Sequence, residues 1–465
     1  MVFSSTVFLF LFLPVILILY YNPVIKSRQF KNTILILSSL FFYAWGEPVY
    51  ILIMLGSIIF NWLFGLAVDK FRGNKNLSRF FVALSVVANI GVLFVFKYLG
   101  FTVRNIDSIF RTDFAVPDIA LPIGISFFTF QAMSYVIDIY RRNGEVQKNP
   151  MNVALYISFF PQLIAGPIVR YSTISEQISN RTENFDDFSE GVYRFIIGFC
   201  KKVLIANNVA LVADAAFGAK ELSVSMAWLG AISYTLQIFF DFSGYSDMAI
   251  GLGKMFGFTF LENFNYPYMS KSVSEFWRRW HISLGSWFRD YVYIPLGGSR
   301  VGKARLVLNL FVVWFLTGLW HGAEWTFIVW GLMYFVLLTV EKLTGFTEKL
   351  GPFKYIYTMF FVIIGWVIFR SETMPEAIEY FKAMFGIGAS GLVDGTAKMY
   401  LSYYKVYLAA GILCSFPIMT FIKSKIKINE KFYTFISRAV LLVLFAIALT
   451  FNVKGSYNPF IYFNF

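Results

Sequence analysis

Apolar runs long enough to cross a bilayer recur along the whole of this 465-residue chain, near residues 2–21, 33–46, 48–68, 80–96, 119–139, 151–168, 190–216, 225–252, 306–321, 325–340, 355–369, 403–422 and 436–452. A hydrocarbon core of about 30 Å takes about 20 helical residues to cross. Within it, every backbone N–H and C=O must find a partner inside the protein. The fold class that follows is an all-α polytopic membrane protein with about 11–13 membrane segments, counting re-entrant and interfacial helices. The polar stretches between the runs are too short for a separate core, so residues 1–465 read as a single membrane domain. The first run has no basic leader region and no small-residue cleavage site, so it reads as a retained span that Pro14 is placed to kink.

The formal charge of +13 sits in short clusters between apolar runs: Lys26/Arg28/Lys31, Lys70/Arg72/Lys75/Arg79, Arg141/Arg142/Lys148, the stretch from Lys271 to Arg305, and Lys423/Lys425/Lys427/Lys431. That placement reports membrane topology and excludes a nucleic-acid partner. With all the clusters in the cytoplasm both termini fall outside, as does the loop holding Glu372, Glu376, Glu379 and Asp394. Three apolar segments then lie between Arg142 and Lys254, an odd number where an even one is needed. The segment with Phe160-Pro161-Gln162 and Gly166-Pro167 is therefore expected to be re-entrant, shielded by protein or lining a cavity within the membrane. Cys200 and Cys414 are too far apart to suggest a disulfide or a metal site, and both read as packing residues.

Only two histidines occur, each directly after a tryptophan: Trp280-His281 and Trp320-His321. Acid/base chemistry near neutral pH usually needs an imidazole, so the search for a base starts with these two. Between Lys271 and Arg305 lie seven basic residues and two acidic ones, Glu275 and Asp290. Ser272 followed by Glu275 forms a capping-box pattern, and Pro295 with Gly297-Gly298 closes the segment. Read as one continuous helix, it gathers Phe276, Trp277, Trp280, Leu284, Trp287, Phe288 and Tyr291 within an arc of about 120°, with Arg278 and Arg289 opposite. An amphipathic helix of that kind lies in the cytoplasmic interface and touches anionic lipid. Alternatively, Arg278, Arg279 and Arg289 form the rim of a site for a phosphorylated cytosolic donor such as a coenzyme A thioester.

His321 ends a helix that starts near Leu306 and stops at Gly322, a suitable helix terminator. Sixteen residues at about 1.5 Å each carry the ring about 24 Å from the cytoplasmic end. Thr317 and Gly318 on the same face leave room for a substrate or another helix. The helix C-terminus and nearby Glu324 favour an imidazolium, whereas burial favours the neutral ring a base requires. Asp241 and Asp247 interrupt another apolar segment. Facing lipid, each would cost about 2.5–3.5 kcal/mol, so both are expected to face protein or water. Six residues apart on a helix they diverge by about 120° and cannot share a proton. They either hydrogen-bond structurally or line a polar tunnel. No phosphate-binding loop, nucleophile elbow or zinc motif is present, and no metal is expected.

The run from Ser274 through Trp280-His281 to Gly298, followed by Gly318-Leu-Trp-His321-Gly322, resembles membrane-bound O-acyltransferases of the alginate O-acetyltransferase type. Leu121–Phe127, Phe160–Pro167, Asp241–Asp247 and the terminal Pro459–Phe465 run extend the likeness over most of the chain. The resemblance implies a helical membrane fold around a funnel in the plasma membrane of a bacterium. In it, His321 matches the family's central catalytic histidine and His281 its second motif histidine. Arg278, Arg279, Arg289, Trp280, Trp320, Asp241 and Asp247 are the candidate substrate contacts. It also implies acetyl-CoA as acyl donor with no permanently bound cofactor, a polysaccharide acceptor outside the cytoplasm, and a separate serine-type acetyltransferase partner. Glu324 departs from the pattern, which has a neutral residue there. D-alanyl transfer to a cell-wall polymer and transport of polysaccharide or lipid without acyl chemistry are the alternatives.

Overall fold

The computed structural model describes residues 1–117, 119–425, 429–455 and 460–461. Lys427 of the last basic cluster, and Pro459 and residues 462–465 of the terminal motif, lie outside the described residues. The chain is helical, with no strand among the described residues, and seven helices there are long and apolar enough to cross a membrane. It divides into two compact units, Met1–Phe195 with Met248–Leu261, and Ile196–Asp247 with Glu262–Phe465.

The first unit is organised on the helix Ile125–Arg141, which is buried on nearly every side. Helices Ile51–Lys70 and Lys75–Leu93 pack on it, and Gly65 lets the Tyr135 ring lie directly against the backbone. Ser27 and Asn74 start their helices by accepting the N–H of Phe30 (3.1 Å) and Leu77 (3.1 Å). The disturbance expected at Pro14 takes the form of a π-helical turn, Phe8–Phe12, just ahead of the α-helix Leu13–Tyr20. The breaker-rich segment forms two short helices, Pro150–Ser158 and Phe160–Leu163, separated by Phe159. Its interrupted backbone is buried in protein, where Ser39 Oγ accepts from the Phe160 N–H (3.0 Å). Between helices Ile51–Lys70 and Lys75–Leu93, Asn61 and Asn89 exchange amide hydrogen bonds of 3.2 and 2.8 Å. Ser57 and Ser85 take up the remaining amide hydrogens and oxygens. Glu183 is held by Arg28, Lys31 (3.1 Å) and the Tyr20 hydroxyl (2.6 Å). Burial pushes its carboxyl up, but these donors outweigh burial and bring it down to about 2.

In the second unit, helices Lys303–His321 and Trp325–Thr344 cross at two glycines. A Cβ on Gly318 would stand 2.6 Å from the Phe327 carbonyl oxygen, and one on Gly331 2.5 Å from that of Trp314. The space left by Gly318 is therefore filled by another helix. Gly322 ends the first helix in an extended conformation (φ −168°), not a left-handed one. Glycine is needed there because the Phe327 ring occupies the position of a Cβ. Cys200 is buried as a packing residue, whereas Cys414 is exposed, contrary to expectation.

Candidate active site

The stretch expected to be one amphipathic helix is broken in two, Val273–Arg279 and Ile282–Phe288. The capping box holds, with Ser272 Oγ accepting from the Glu275 N–H at 3.0 Å. The Glu341 carboxylate also accepts the N–H groups of Val273 (2.8 Å) and Ser274 (2.9 Å), placing a negative charge on the helix start. The break comes at His281. Trp280 is extended and His281 adopts a left-handed conformation (φ 45°), which reverses the chain and starts the second helix. A non-glycine residue in that region costs of order 1–3 kcal/mol and persists only where its surroundings hold it. The break also removes the interfacial stripe, because Phe276, Trp280, Leu284, Trp287 and Phe288 are buried in protein. Trp277, Trp314, Trp330 and Tyr334 form a continuous aromatic cluster beside them, with ring centroids 4.9–6.3 Å apart.

A cavity of about 360 Å³ opens between these two short helices and the helices Lys303–His321 and Trp325–Thr344. Its volume is that of a small-ligand site, about 300–1,000 Å³. His281, Trp280 and Thr317 line it together with three cations, Arg278, Arg289 and Lys342. Arg278 is exposed and forms no ion pair or hydrogen bond among the described residues, so its guanidinium is available to a ligand. Arg289 is paired with Asp290 (2.7 Å), and Lys342 donates to the Tyr293 hydroxyl (3.1 Å). Arg279 does not line the cavity. It is paired with Glu275 (2.8 Å) and donates to the Asn265 carbonyl (3.0 Å). Only the lysine of this trio of cations lacks a signal in the sequence, since it stands at the end of a span where any basic residue would fit the topology.

His281 is 2% exposed, and burial pushes its imidazole down to about 3, which makes it neutral at physiological pH. Its Nδ1 lies 3.2 Å from Asn263 Oδ1, and its Nε2 has no hydrogen-bond partner among the described residues. His321 is 3% exposed and is not among the residues lining the cavity. Its ring is packed by Trp320 (4.9 Å), Trp330 (5.0 Å) and Phe369 (5.2 Å). Trp320 also meets His281 at 5.8 Å, so one indole stands in contact with both imidazoles. The cavity therefore reaches His281 and not His321, from which it is separated by the Trp320 ring. Glu324 is an exposed residue at the start of the next helix.

Asp241 and Asp247 are apart from the cavity, and each faces its own lysine. Asp241 pairs with Lys202 (2.6 Å) and accepts the Ile461 N–H (2.9 Å), and Asp247 pairs with Lys201 (2.7 Å). The two lysines lie in a π-helical turn, Lys201–Ala206, inside an apolar segment. Two cations within a span are themselves the signal that carboxylates lie opposite.

A model of the membrane-bound O-acyltransferase family matches residues 142–371, which contain both histidines and the cavity. A probable alginate O-acetylase of Pseudomonas putida is 40% identical over the full length of both chains. A second, from Pseudomonas aeruginosa, is 45% identical over 83% of this chain and 75% of its own length. The chain belongs to the membrane-bound O-acyltransferase family. A peptidoglycan O-acetyltransferase of Helicobacter pylori is also similar, 34% identical over all of this chain and 98% of its own. The protein is thus a multi-pass membrane O-acyltransferase.

Proposed function

We propose that this O-acyltransferase takes an acetyl group from cytosolic acetyl-CoA and passes it across the bacterial plasma membrane for O-acetylation of an extracytoplasmic polysaccharide. A separate serine-type acetyltransferase completes delivery, and residues 1–465 work as one catalytic domain. The observation that carries this reading is a neutral, buried imidazole and three cations lining one cavity. The cations suit the phosphates of a coenzyme A thioester, and the relatives named for acetylation of alginate and of peptidoglycan support acetyl as the group and a polysaccharide as its destination.

A thioester is already activated, so no covalent nucleophile is required on this chain. The acceptor hydroxyl oxygen attacks the thioester carbonyl carbon while its proton passes to His321, the general base. The carbon–sulfur bond then breaks, and the departing thiolate recovers that proton. Access to His321 requires the Trp320 indole to swing aside, and the surrounding aromatic wall excludes water that would hydrolyse the donor. His281 positions the substrate, Arg278 and Arg289 hold the donor phosphates with Lys342, and Trp280 forms the cavity wall. Arg279, Asp241 and Asp247 act at one remove, by holding the elements that carry these groups.

The test is acyl transfer by the purified protein in liposomes, offered either labelled acetyl-CoA or a D-alanyl carrier protein. Consumption of acetyl-CoA that depends on an acceptor and on His321 supports the reading. Use of the D-alanyl carrier alone, or movement of polymer without thioester cleavage, overturns it.

A further inference from the structure

Asn263 closes the loop between the two short helices from both its backbone and its side chain. Its carbonyl oxygen accepts the Ile282 N–H (3.0 Å), and its Oδ1 accepts the Ser283 N–H (3.1 Å) and the Ser283 hydroxyl (2.9 Å). A backbone N–H can only donate, so the atom facing Ser283 is the amide oxygen, not the amide nitrogen. The same oxygen faces His281 Nδ1 at 3.2 Å. Oxygen cannot donate there, and the Ser283 hydroxyl, 3.5 Å from the same nitrogen, gives its hydrogen to Asn263 Oδ1 at the shorter distance of 2.9 Å, so the proton of the neutral ring sits on Nδ1 and the lone pair on Nε2. The ring is locked further by the left-handed backbone at His281 and by Phe242, whose ring stands edge-on at 4.7 Å.

We propose that Asn263 is a positioning residue for acyl transfer: by accepting a hydrogen bond from the Nδ1–H it presents His281 to the cavity as a hydrogen-bond acceptor through Nε2. This rests on the reading that His281 contacts substrate, and it narrows that contact by chemistry. An acceptor nitrogen repels the thioester carbonyl oxygen and takes up an O–H or N–H group. The partner of His281 is therefore the acceptor alcohol or an amide N–H on the donor's arm.

With only two histidines in the chain, ¹⁵N-histidine labelling of the full-length protein in detergent gives two ring spin systems, and H321Q leaves that of His281 alone. A protonated Nδ1 with a bare Nε2 supports the proposal; a proton on Nε2, or an imidazolium at neutral pH, overturns it. The same spectrum on Asn263→Asp, which keeps an acceptor oxygen, retains that pattern, whereas Asn263→Leu loses it. In the transfer assay Asn263→Leu lowers kcat by about 10–100-fold, the usual cost of removing an orienting partner, and Asn263→Asp restores most of it. Equal loss in both variants, each folded, means a merely structural role and overturns the proposal. Normal transfer by His281→Ala removes the substrate contact on which it rests, and the ring-nitrogen shifts distinguish that failure from an error about Asn263.

Discussion

The Asn61–Asn89 cluster of the first unit and the Asn263–His281 cluster of the second are both buried amide networks, and they differ in one respect. In the first, each amide oxygen and nitrogen has a partner within the two helices. In the second, His281 Nε2 and Asn263 Nδ2 have none among the described residues, and the imidazole lines a cavity. A closed network fixes how helices pack, and leaving buried groups unmatched costs about 1–3 kcal/mol apiece. Such a cost persists where a ligand supplies the missing bond. Between these two networks, satisfaction, more than polarity, separates scaffold from site.

The largest expected effect tests the site side of this contrast. His321→Ala lowers acyl transfer by about 10²–10⁴-fold, the usual contribution of a general base, while membrane insertion and yield of folded protein stay at wild-type levels. Normal transfer by this variant would remove the base from the mechanism. On the scaffold side, Asn61→Leu strands the partner amide and costs about 1–3 kcal/mol of stability. Asn61→Leu with Asn89→Leu recovers most of that, and transfer per folded molecule is unchanged in both; thermal melting in detergent alongside the transfer assay checks the pair. Arg278→Ala raises the apparent KM for acetyl-CoA about tenfold with kcat nearly unchanged, since a charge-assisted hydrogen bond is worth about 1.5–3 kcal/mol. Among variants lacking the ring, His281→Gly melts above His281→Ala by about 1 kcal/mol, because only glycine relaxes at a left-handed position.

Acid separates the units by pH window. The unfolded chain protonates His281 near 6.5 and the folded one near 3, so stability from this group falls as pH drops from 6.5 toward 3. For Glu183 the unfolded and folded values are 4.5 and about 2, so its contribution is full above 4.5 and is lost as pH falls through 2. His281→Leu is expected to flatten the upper window alone, read as melting temperature against pH.

The fold class was legible because lipid leaves a chain few options, and thirteen apolar runs announce themselves without any packing detail. The two Trp-His pairs were legible through scarcity. The reversal at Trp280-His281 was not, because no glycine or proline marks it; the turn is imposed by hydrogen bonds that Asn263, eighteen residues before His281, accepts. Helical periodicity across residues 276–291 was therefore misleading, although the burial of its aromatic side chains was genuine. Lys201 and Lys202 were hidden by averaging, since two charges barely lower the hydropathy of a long apolar segment, Phe185–Phe217.

Where helices Lys303–His321 and Trp325–Thr344 meet at Gly318 and Gly331, backbone rests on backbone with no side chain between to act as a cushion. Such a joint can neither slide by a turn nor be shimmed by a change of rotamer. The depth of the imidazole at its end is consequently a property of the covalent chain, not of the surrounding lipid. Bilayers of differing thickness would have to adapt around this pair of helices.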